Sequence, residues 1–360
     1  MSENLSPKTN GPPKVTSKLA PVSLEKIKKW KLSPGNIYFI PKKGRPVLLF
    51  NAGEALQWDR LIKFKGKNET KLAMEIIVNL PLIEEGVSIL SSMIERENFL
   101  VKISKRNEFI DWVKKNFLSK GESNSLLQNE LNFIFCGTQS FLKLDENYTK
   151  KFQDAAIILF HRSLKVSSLA VVLALGLGYI EKNYLSDIYH VSMFLDIGLW
   201  NKDLSSFTMT ACEHERSTSN GGVAYLESLR LKSQEVNLEN FETHPTVGKQ
   251  IVEKDFKNIF FYPESIKLIE RHHEYEDGKG FPKGLHKTQL SEFEEICMLA
   301  DHLVPFEVLN IEKDKVVSSQ TFVEEAFLKL REIEANSDQR FYYITKRVLA
   351  GFSLVKEKAA

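Results

Sequence analysis

The fold is decided by one stretch, Arg271-His272-His273-Glu274-Tyr275-Glu276-Asp277-Gly278-Lys279-Gly280-Phe281-Pro282. Two adjacent histidines end a helix-like run that begins at Pro263, and a turn rich in Gly and Pro follows at once. At α-helical spacing, Ile266 and Ile269 share a face with His273, so the imidazoles continue an apolar face. A buried imidazole needs a partner on each nitrogen, and that partner is either a metal ion or a backbone carbonyl.

The overall composition bounds the class of protein. The chain has 360 residues, of which 42% are hydrophobic, and its formal net charge is +2. This length predicts two domains, and the charge gives no reason to expect nucleic-acid binding. Three separated cysteines, Cys136, Cys212 and Cys297, form neither a disulfide framework nor a CxxC metal motif. We therefore expect a reducing compartment and a cytoplasmic protein.

The chain shows neither a signal peptide nor a membrane-spanning pattern. Residues 1–21 are rich in Pro, Ser, Asn and Lys, which predicts a disordered tail. The longest apolar run, residues 169–180, is shorter than the roughly 20 residues that cross a bilayer. We predict that it is a core helix that ends at Gly176 and Gly178.

The chain is predicted to fold as an α+β N-terminal domain followed by an all-α helical bundle. Residues 22–125 form the small α+β domain, with strands at 36–40 and 47–50 and helices near 82–96 and 107–117. A polar stretch at 118–125 marks the boundary. Residues 126–360 show helical patterns without strand periodicity. These helices are predicted near residues 148–177, 184–195, 241–252, 263–275, 292–303, 321–333 and 338–349.

The polar residues with the greatest need for partners lie in the second domain. All eight histidines lie at or beyond position 161, and Asp196 and Asp301 are embedded in apolar runs. A carboxylate in such a run must be paired, hydrogen-bonded, metal-bound or neutral. Six side chains on separate helices fit a dinuclear metal site better than isolated structural roles. The predicted ligands are His161, Asp196, His244, His272, His273 and Asp301.

These residues resemble the HD-GYP family, the bacterial branch of the HD phosphohydrolase superfamily. The resemblance covers roughly residues 160–306, with family-like helices to about 352. His161 matches the first metal-binding histidine, and His244 in His244-Pro245 matches the His-Pro motif. His272 and His273 match the paired histidines. Gly280-Phe281-Pro282 stands in place of Gly-Tyr-Pro and is a candidate substrate loop, although the substrate-binding residues themselves stay unassigned.

The HD signature itself is altered. Leu195-Asp196-Ile197-Gly198-Leu199 stands where the family has His-Asp-Ile-Gly-Lys, and Asp301 matches the closing aspartate. Leu195 replaces a metal-binding histidine and Leu199 replaces a lysine that handles phosphate. Phe281 lacks the tyrosine hydroxyl. Ile157 stands where some members carry a third-metal glutamate, so two metals are expected rather than three. The basic segment that follows the aspartate is replaced by residues 304–307.

The resemblance implies hydrolysis of cyclic di-GMP by two divalent metal ions that activate a water. Iron is expected, with Mn, Ni and Zn as alternatives, and Asp196 is expected to bridge the two ions and to be the catalytic carboxylate. Each lost electrostatic donor costs about 10²–10³ in rate. We therefore expect a metal-loaded domain with weak or lost hydrolysis, and whether it is an enzyme stays open.

Three alternatives for function remain at this point. The protein is an active phosphodiesterase on cyclic di-GMP or another phosphoester, a metal-binding signalling pseudoenzyme or scaffold, or a redox or oxygen-using di-iron HD protein. Protein signalling partners such as diguanylate-cyclase-type proteins fit the second alternative. His214, in a polar loop at 205–222, could fill the position vacated at Leu195. The first domain is either regulatory or a packing appendage.

Overall fold

The N-terminal part of the chain contains one small antiparallel sheet. The computed structural model describes residues 19–66, 71–118, 126–200, 239–305 and 321–353. The sheet has the order β1-β4-β2-β3. Its strands are β1 (Ala20–Pro21), β2 (Gly35–Phe39), β3 (Val47–Phe50) and β4 (Leu72–Ile76). The short helices α1 (Leu24–Ile27) and α2 (Trp58–Leu61) accompany it. This confirms the predicted α+β start and the strands β2 and β3.

Two details of this sheet differ from the sequence prediction. β4 was not predicted, because Leu, Ala, Met and Glu are helix-forming residues. It is a central strand that pairs with both β1 and β2, so tertiary pairing overrides local propensity. Residues 20 and 21 were assigned to the tail, but Ala20 pairs with Met74 and Pro21 with Ala73. Residues 1–18 lie outside the described part of the chain.

The rest of the described chain is helical, which confirms the predicted all-α bundle. The longer helices are α3 (Leu80–Glu95), α4 (Phe99–Val113), α5 (Leu126–Phe141), α6 (Glu146–Ala155), α7 (Ile157–Leu177), α8 (Lys182–Phe194), α9 (Glu239–Asp255), α10 (Glu292–Leu303), α11 (Phe322–Glu334) and α12 (Tyr342–Ser353). Short 3-10 turns occur at Ile62–Phe64, Ile197–Leu199, Lys257–Ile259 and Lys287–Gln289, and a π turn at Lys114–Leu118. The predicted helix at 107–117 is the end of α4 and this π turn.

The two parts of the chain share one core. The sheet has its own small cluster, but residues of α3 and α4 pack in the same apolar cluster as α5 to α12. The Nζ of Lys31 donates hydrogen bonds to the carbonyls of Thr138 and Gln139, both at 3.2 Å, at the end of α5. The division at residue 125 stays a prediction.

Helix α7 is the central element of the bundle. By length and composition it could cross a bilayer, with a mean hydropathy of 1.6, but 83% of that window is buried inside the protein. Burial of this kind is typical of the core helix of a folded domain. The helix ends where the sequence predicted, because Gly178 adopts a left-handed conformation at φ 100°.

The segment before the paired histidines is a 3-10 helix, Pro263–Arg271, rather than the predicted α-helix. Residues three apart eclipse one another in a 3-10 helix, so Ile266 and Ile269 align with His272 and not with His273. The segment is held at its start by Asp187 of α8. The Asp187 carboxylate accepts hydrogen bonds from the backbone N–H groups of Phe261 and Tyr262 at 2.9 and 2.8 Å.

We predict that Asp187→Ala lowers the free energy of unfolding by about 2–4 kcal/mol, because it leaves two backbone donors without their acceptor. Asp145→Ala is the matched control. Asp145 also accepts two backbone N–H groups, of Asn147 and Tyr148, but it is exposed and water can replace it. Its loss should be about 1 kcal/mol. Urea denaturation of both variants measures the difference, and equal losses would contradict the anchoring role of Asp187.

Candidate metal centre

Four side chains converge at the centre of the helical bundle: Asp196, His244, His272 and His273. Each offers one ligand atom, and these atoms all lie within 4.8 Å of one another. All four residues are buried. The structure therefore brings together four of the six predicted ligands, and these come from three separate parts of the chain.

Asp196 is placed by a tight contact between α9 and the short turn that follows α8. It follows the end of α8 and precedes the 3-10 turn Ile197–Leu199. A Cβ on Gly198 would lie 2.0 Å from the carbonyl oxygen of His244, so only glycine lets α9 approach this turn so closely. The glycine of the altered HD signature thus sets the distance between Asp196 and His244.

His244 is oriented by the proline that follows it. Pro245 lies inside α9 and has no N–H to donate to the carbonyl of Phe241, four residues earlier. The Nδ1–H of His244 donates to that carbonyl instead, at 2.5 Å. The hydrogen bond fixes the ring and leaves Nε2 as an acceptor directed into the cluster. The His-Pro pair therefore has a local structural reason.

The paired histidines are held by the turn that follows them. The Nδ1–H of His272 donates to the carbonyl of Ile269 at 2.7 Å, so its Nε2 also points into the cluster as an acceptor. The ring of His273 stacks on Phe281, with centroids 4.6 Å apart and an angle of 11°. The buried carboxylate of Glu274 accepts the backbone N–H groups of Lys283 and Leu285 at 2.6 and 2.7 Å. Glu274 therefore fixes the Gly-Phe-Pro turn.

The spacing of the acceptor atoms fits a cation. The Nε2 of His244 lies 3.1 Å from the Nε2 of His272 and 3.2 Å from that of His273. The Oδ1 of Asp196 lies 3.5 Å from the Nε2 of His244 and 3.7 Å from the Nε2 of His272. Ligand atoms about 2.1 Å from one metal ion are separated by about 3.0 Å at right angles and about 3.4 Å in a tetrahedron.

Electrostatics favour the same conclusion. The Nδ1 protons of His244 and His272 are committed to carbonyls, so two nitrogen lone pairs and a carboxylate oxygen face one another. Burial lowers the pKa of His244, which disfavours protonation as the remedy. Imidazole nitrogen with carboxylate oxygen is a donor set that suits Zn, Fe, Mn and Ni. The residues present fit a divalent metal ion.

The other two predicted ligands lie outside this group. The carboxylate of Asp301, on α10, pairs with Arg162 at 2.8 Å, and Arg162 also pairs with Asp196 at 2.6 Å. His161, one residue before Arg162 on α7, is half-buried and lies beside the ring of Phe160. The sequence reasoning missed Arg162, although an arginine that directly follows a predicted ligand in an apolar helix is a usable signal. The metal number of two and the roles of His161 and Asp301 stay predictions.

The altered positions carry buried apolar side chains. Leu195 and Leu199 are fully buried in the core, and Phe281 covers one face of His273. No polar group therefore replaces the family histidine, lysine or tyrosine hydroxyl at these positions. His214, which was considered as a substitute for the histidine missing at position 195, lies outside the described residues.

His190 shows what a structural histidine looks like in this chain. It is buried, its Nδ1–H donates to the carbonyl of Ser186 at 2.7 Å, and its Nε2 accepts the N–H of Lys143 at 3.2 Å. Burial lowers its pKa to about 3, so it stays neutral. Both nitrogens have backbone partners, whereas the Nε2 atoms of His244 and His272 face other acceptors.

Comparison with known proteins supports this centre. The HD domain family model matches residues 224–305, a range that contains His244, the paired histidines and Asp301. Residues 224–305 therefore form the part of the chain that matches an HD domain. This match supports the HD part of the resemblance inferred from the motifs, and the HD domain is a metal-binding family.

Two further comparisons concern curated proteins and solved structures. No curated protein matches the chain. Among solved structures, the chain is similar to Bd1817, an HDG"Y"P protein from Bdellovibrio bacteriovorus, with 15% identity and a TM-score of 0.38. That alignment covers 92% of this chain and 98% of the other.

We predict that His244→Ala lowers the affinity for Mn²⁺ or Zn²⁺ by more than about 100-fold, since even outer-shell partners of a metal cost about 10- to 100-fold. Isothermal titration with competing chelator measures the affinity. His190→Ala, which removes an equally buried histidine away from the cluster, should leave the affinity unchanged. Equal effects of the two variants would show that His244 acts only through folding.

Proposed function

We propose that this HD protein is an HD-GYP-type signalling protein of the phosphodiesterase family, with weak or lost hydrolysis of cyclic di-GMP. One observation carries the proposal: three imidazoles and one carboxylate form a buried cluster, while two positions that handle phosphate in the family are apolar in this chain. Asp196, His244, His272 and His273 supply the cluster, and Leu199 is among the apolar positions. In this proposal the chain keeps the residues that bind metal but lacks groups that act on the phosphodiester.

The residues that would hold the ion are the four of the cluster, with Asp196 as the catalytic carboxylate. Iron is the proposed metal, with Mn, Ni or Zn as alternatives that suit the same donors. Such an ion, when bound, lowers the pKa of a water and polarises a phosphoryl oxygen. The chain's own contribution is orientation: the carbonyls of Phe241 and Ile269 keep Nε2 of their histidines unprotonated, and Glu274 orders the turn beside the cluster.

Three missing groups reduce the expected rate. A lysine at 199 and a hydroxyl at 281 would donate to negative charge that develops on phosphate, and a histidine at 195 would hold metal. Removal of one such donor costs about 10²–10³ in rate. The loss of two donors is therefore enough to bring turnover close to the limit of detection.

A metal-loaded signalling scaffold without turnover is the second candidate, and the stacking of Phe281 on His273 favours it. The ring of Phe281 covers a face of the paired histidines without offering a hydrogen bond. In that case a cyclic dinucleotide or another phosphoester would be a ligand, and a signalling protein of the diguanylate-cyclase type a proposed partner. We place either activity in the cytoplasm.

We predict that the purified, iron- or manganese-loaded protein hydrolyses cyclic di-GMP at least about 10²-fold more slowly than an HD-GYP enzyme with the full motif, because its electrostatic donors are missing. Product formation from cyclic di-GMP and from a panel of phosphoesters, with and without chelator, is the measurement. Turnover as fast as that of the full-motif enzyme, abolished by chelation, would contradict the proposed loss.

We predict that Phe281→Tyr raises residual turnover by up to about 10²-fold without changing metal affinity, because it restores one donor on the same stacked ring. Phe261→Tyr adds a hydroxyl to an exposed ring away from the cluster and is the matched control. A rise with the first variant alone identifies a hydrolytic site. No rise, with metal bound, favours the scaffold over the enzyme.

A further inference from the structure

Arg162 lies between two acidic side chains, Asp196 and Asp301. Of these two, only Asp196 belongs to the cluster of candidate metal ligands. Arg162 is the residue after His161 on α7, and it is buried. Its Nη1 donates to Oδ2 of Asp196 at 2.6 Å, and its Nη2 donates to Oδ1 of Asp301 at 2.8 Å. One guanidinium therefore joins the two carboxylates that the family resemblance assigns to metal ions.

The guanidinium is also fastened to the end of α10. Its Nε donates to the carbonyl of Val304 at 3.1 Å, and its Nη2 donates to the carbonyls of Asp301 and Val304 at 2.9 and 2.8 Å. These carbonyls form the negative end of the helix, where a cation is stabilised. Displacing Arg162 would leave buried carbonyls and a buried carboxylate without this donor, which costs several kcal/mol.

Asp196 connects this guanidinium with the histidine cluster. Its Oδ1 faces the Nε2 atoms of His244 and His272, at 3.5 and 3.7 Å, and its Oδ2 faces Arg162. A carboxylate that bridges two metal ions divides its two oxygens in the same way. Here one of the two cation positions is defined by three imidazoles, and the other is taken by a side chain of the chain itself.

Charge balance points the same way. Within this ion-paired group, two carboxylates and one guanidinium leave a single negative charge, which one divalent ion with neutral imidazoles more than compensates. A second divalent ion beside Arg162 would place a large excess of positive charge in a buried region.

We propose that Arg162 is a permanent second cation, so that this chain binds one divalent metal ion rather than the two that the family resemblance implies. The inference rests on the proposed metal-dependent function and deepens it. Asp301 is then the partner of Arg162 and not a metal ligand. The centre holds a single ion with Asp196, His244, His272 and His273, and it has no metal-metal pair with which to clamp a phosphodiester.

The test is the number of manganese ions per full-length chain at saturation, measured by atomic emission after gel filtration and by the electron paramagnetic resonance of Mn²⁺. The wild type should hold one ion with an uncoupled six-line spectrum. Arg162→Gln keeps a hydrogen-bonding group but removes the charge, and it should admit a second ion with a spin-coupled spectrum. Arg162→Lys, which keeps the charge, should stay at one ion.

Two further variants separate the inference from effects on folding. Asp301→Asn should still hold one ion, whereas loss of the metal would show that Asp301 is a ligand and overturn the proposal. Arg106→Gln is the matched control, because Arg106 also donates to helix-end carbonyls, of Leu175 and Gly176, but it lies away from the cluster. It should leave the count at one.

The metal counts also separate this inference from the proposed function. Two ions in the wild type would overturn the role of Arg162 and leave the proposed metal-dependent function intact. No ion in the wild type would overturn both. A single ion in folded Arg162→Gln would show that the guanidinium does not exclude the second ion. If that variant does not fold, the wild-type and Asp301→Asn counts decide the question.

Discussion

The candidate metal centre depends on one electrostatic constraint. Hydrogen-bond acceptor atoms, the imidazole Nε2 atoms and a carboxylate oxygen, are held close together in the buried interior of the bundle. Two imidazoles give their Nδ1 protons to backbone carbonyls, so their Nε2 lone pairs face each other at 3.1 Å with a carboxylate oxygen close by. Such an arrangement is repulsive unless a cation is shared. The proposed metal binding would therefore be coupled to folding, and we expect the ion to contribute directly to the stability of the bundle.

Several motif residues have a structural reason that follows from this constraint. Gly198 lets α9 come close enough for His244 to approach Asp196, and Pro245 frees the carbonyl that orients the His244 ring. Glu274 binds the two backbone N–H groups that shape the Gly-Phe-Pro turn. This structural role does not require contact with a substrate. These residues place the ligands, which explains why a chain can keep them after the groups that act on phosphate have changed.

Much of the bundle and the four residues of the cluster could be predicted because they depend on local signals. Ser291 caps the start of α10, and Gly178 caps the end of α7. The histidines and Asp196 are polar residues in apolar runs. Other features depend on partners distant in the chain. β4 has helix-forming residues and becomes a strand only by pairing with β1 and β2, and the 3-10 form of Pro263–Arg271 depends on its anchor at Asp187. The role of Arg162 is set by Asp196, Asp301 and the end of α10, which no local pattern brings together.

Asp196 has a guanidinium on Oδ2 and, as we propose, a metal ion on Oδ1. Anomalous X-ray diffraction from crystals grown with Mn²⁺ tests this claim most directly. The account predicts one anomalous peak about 2.0–2.3 Å from Oδ1 of Asp196 and from Nε2 of His244, His272 and His273, with Arg162 still paired to both carboxylates. A peak between Asp196 and Asp301, or no peak near the three histidines, would contradict it.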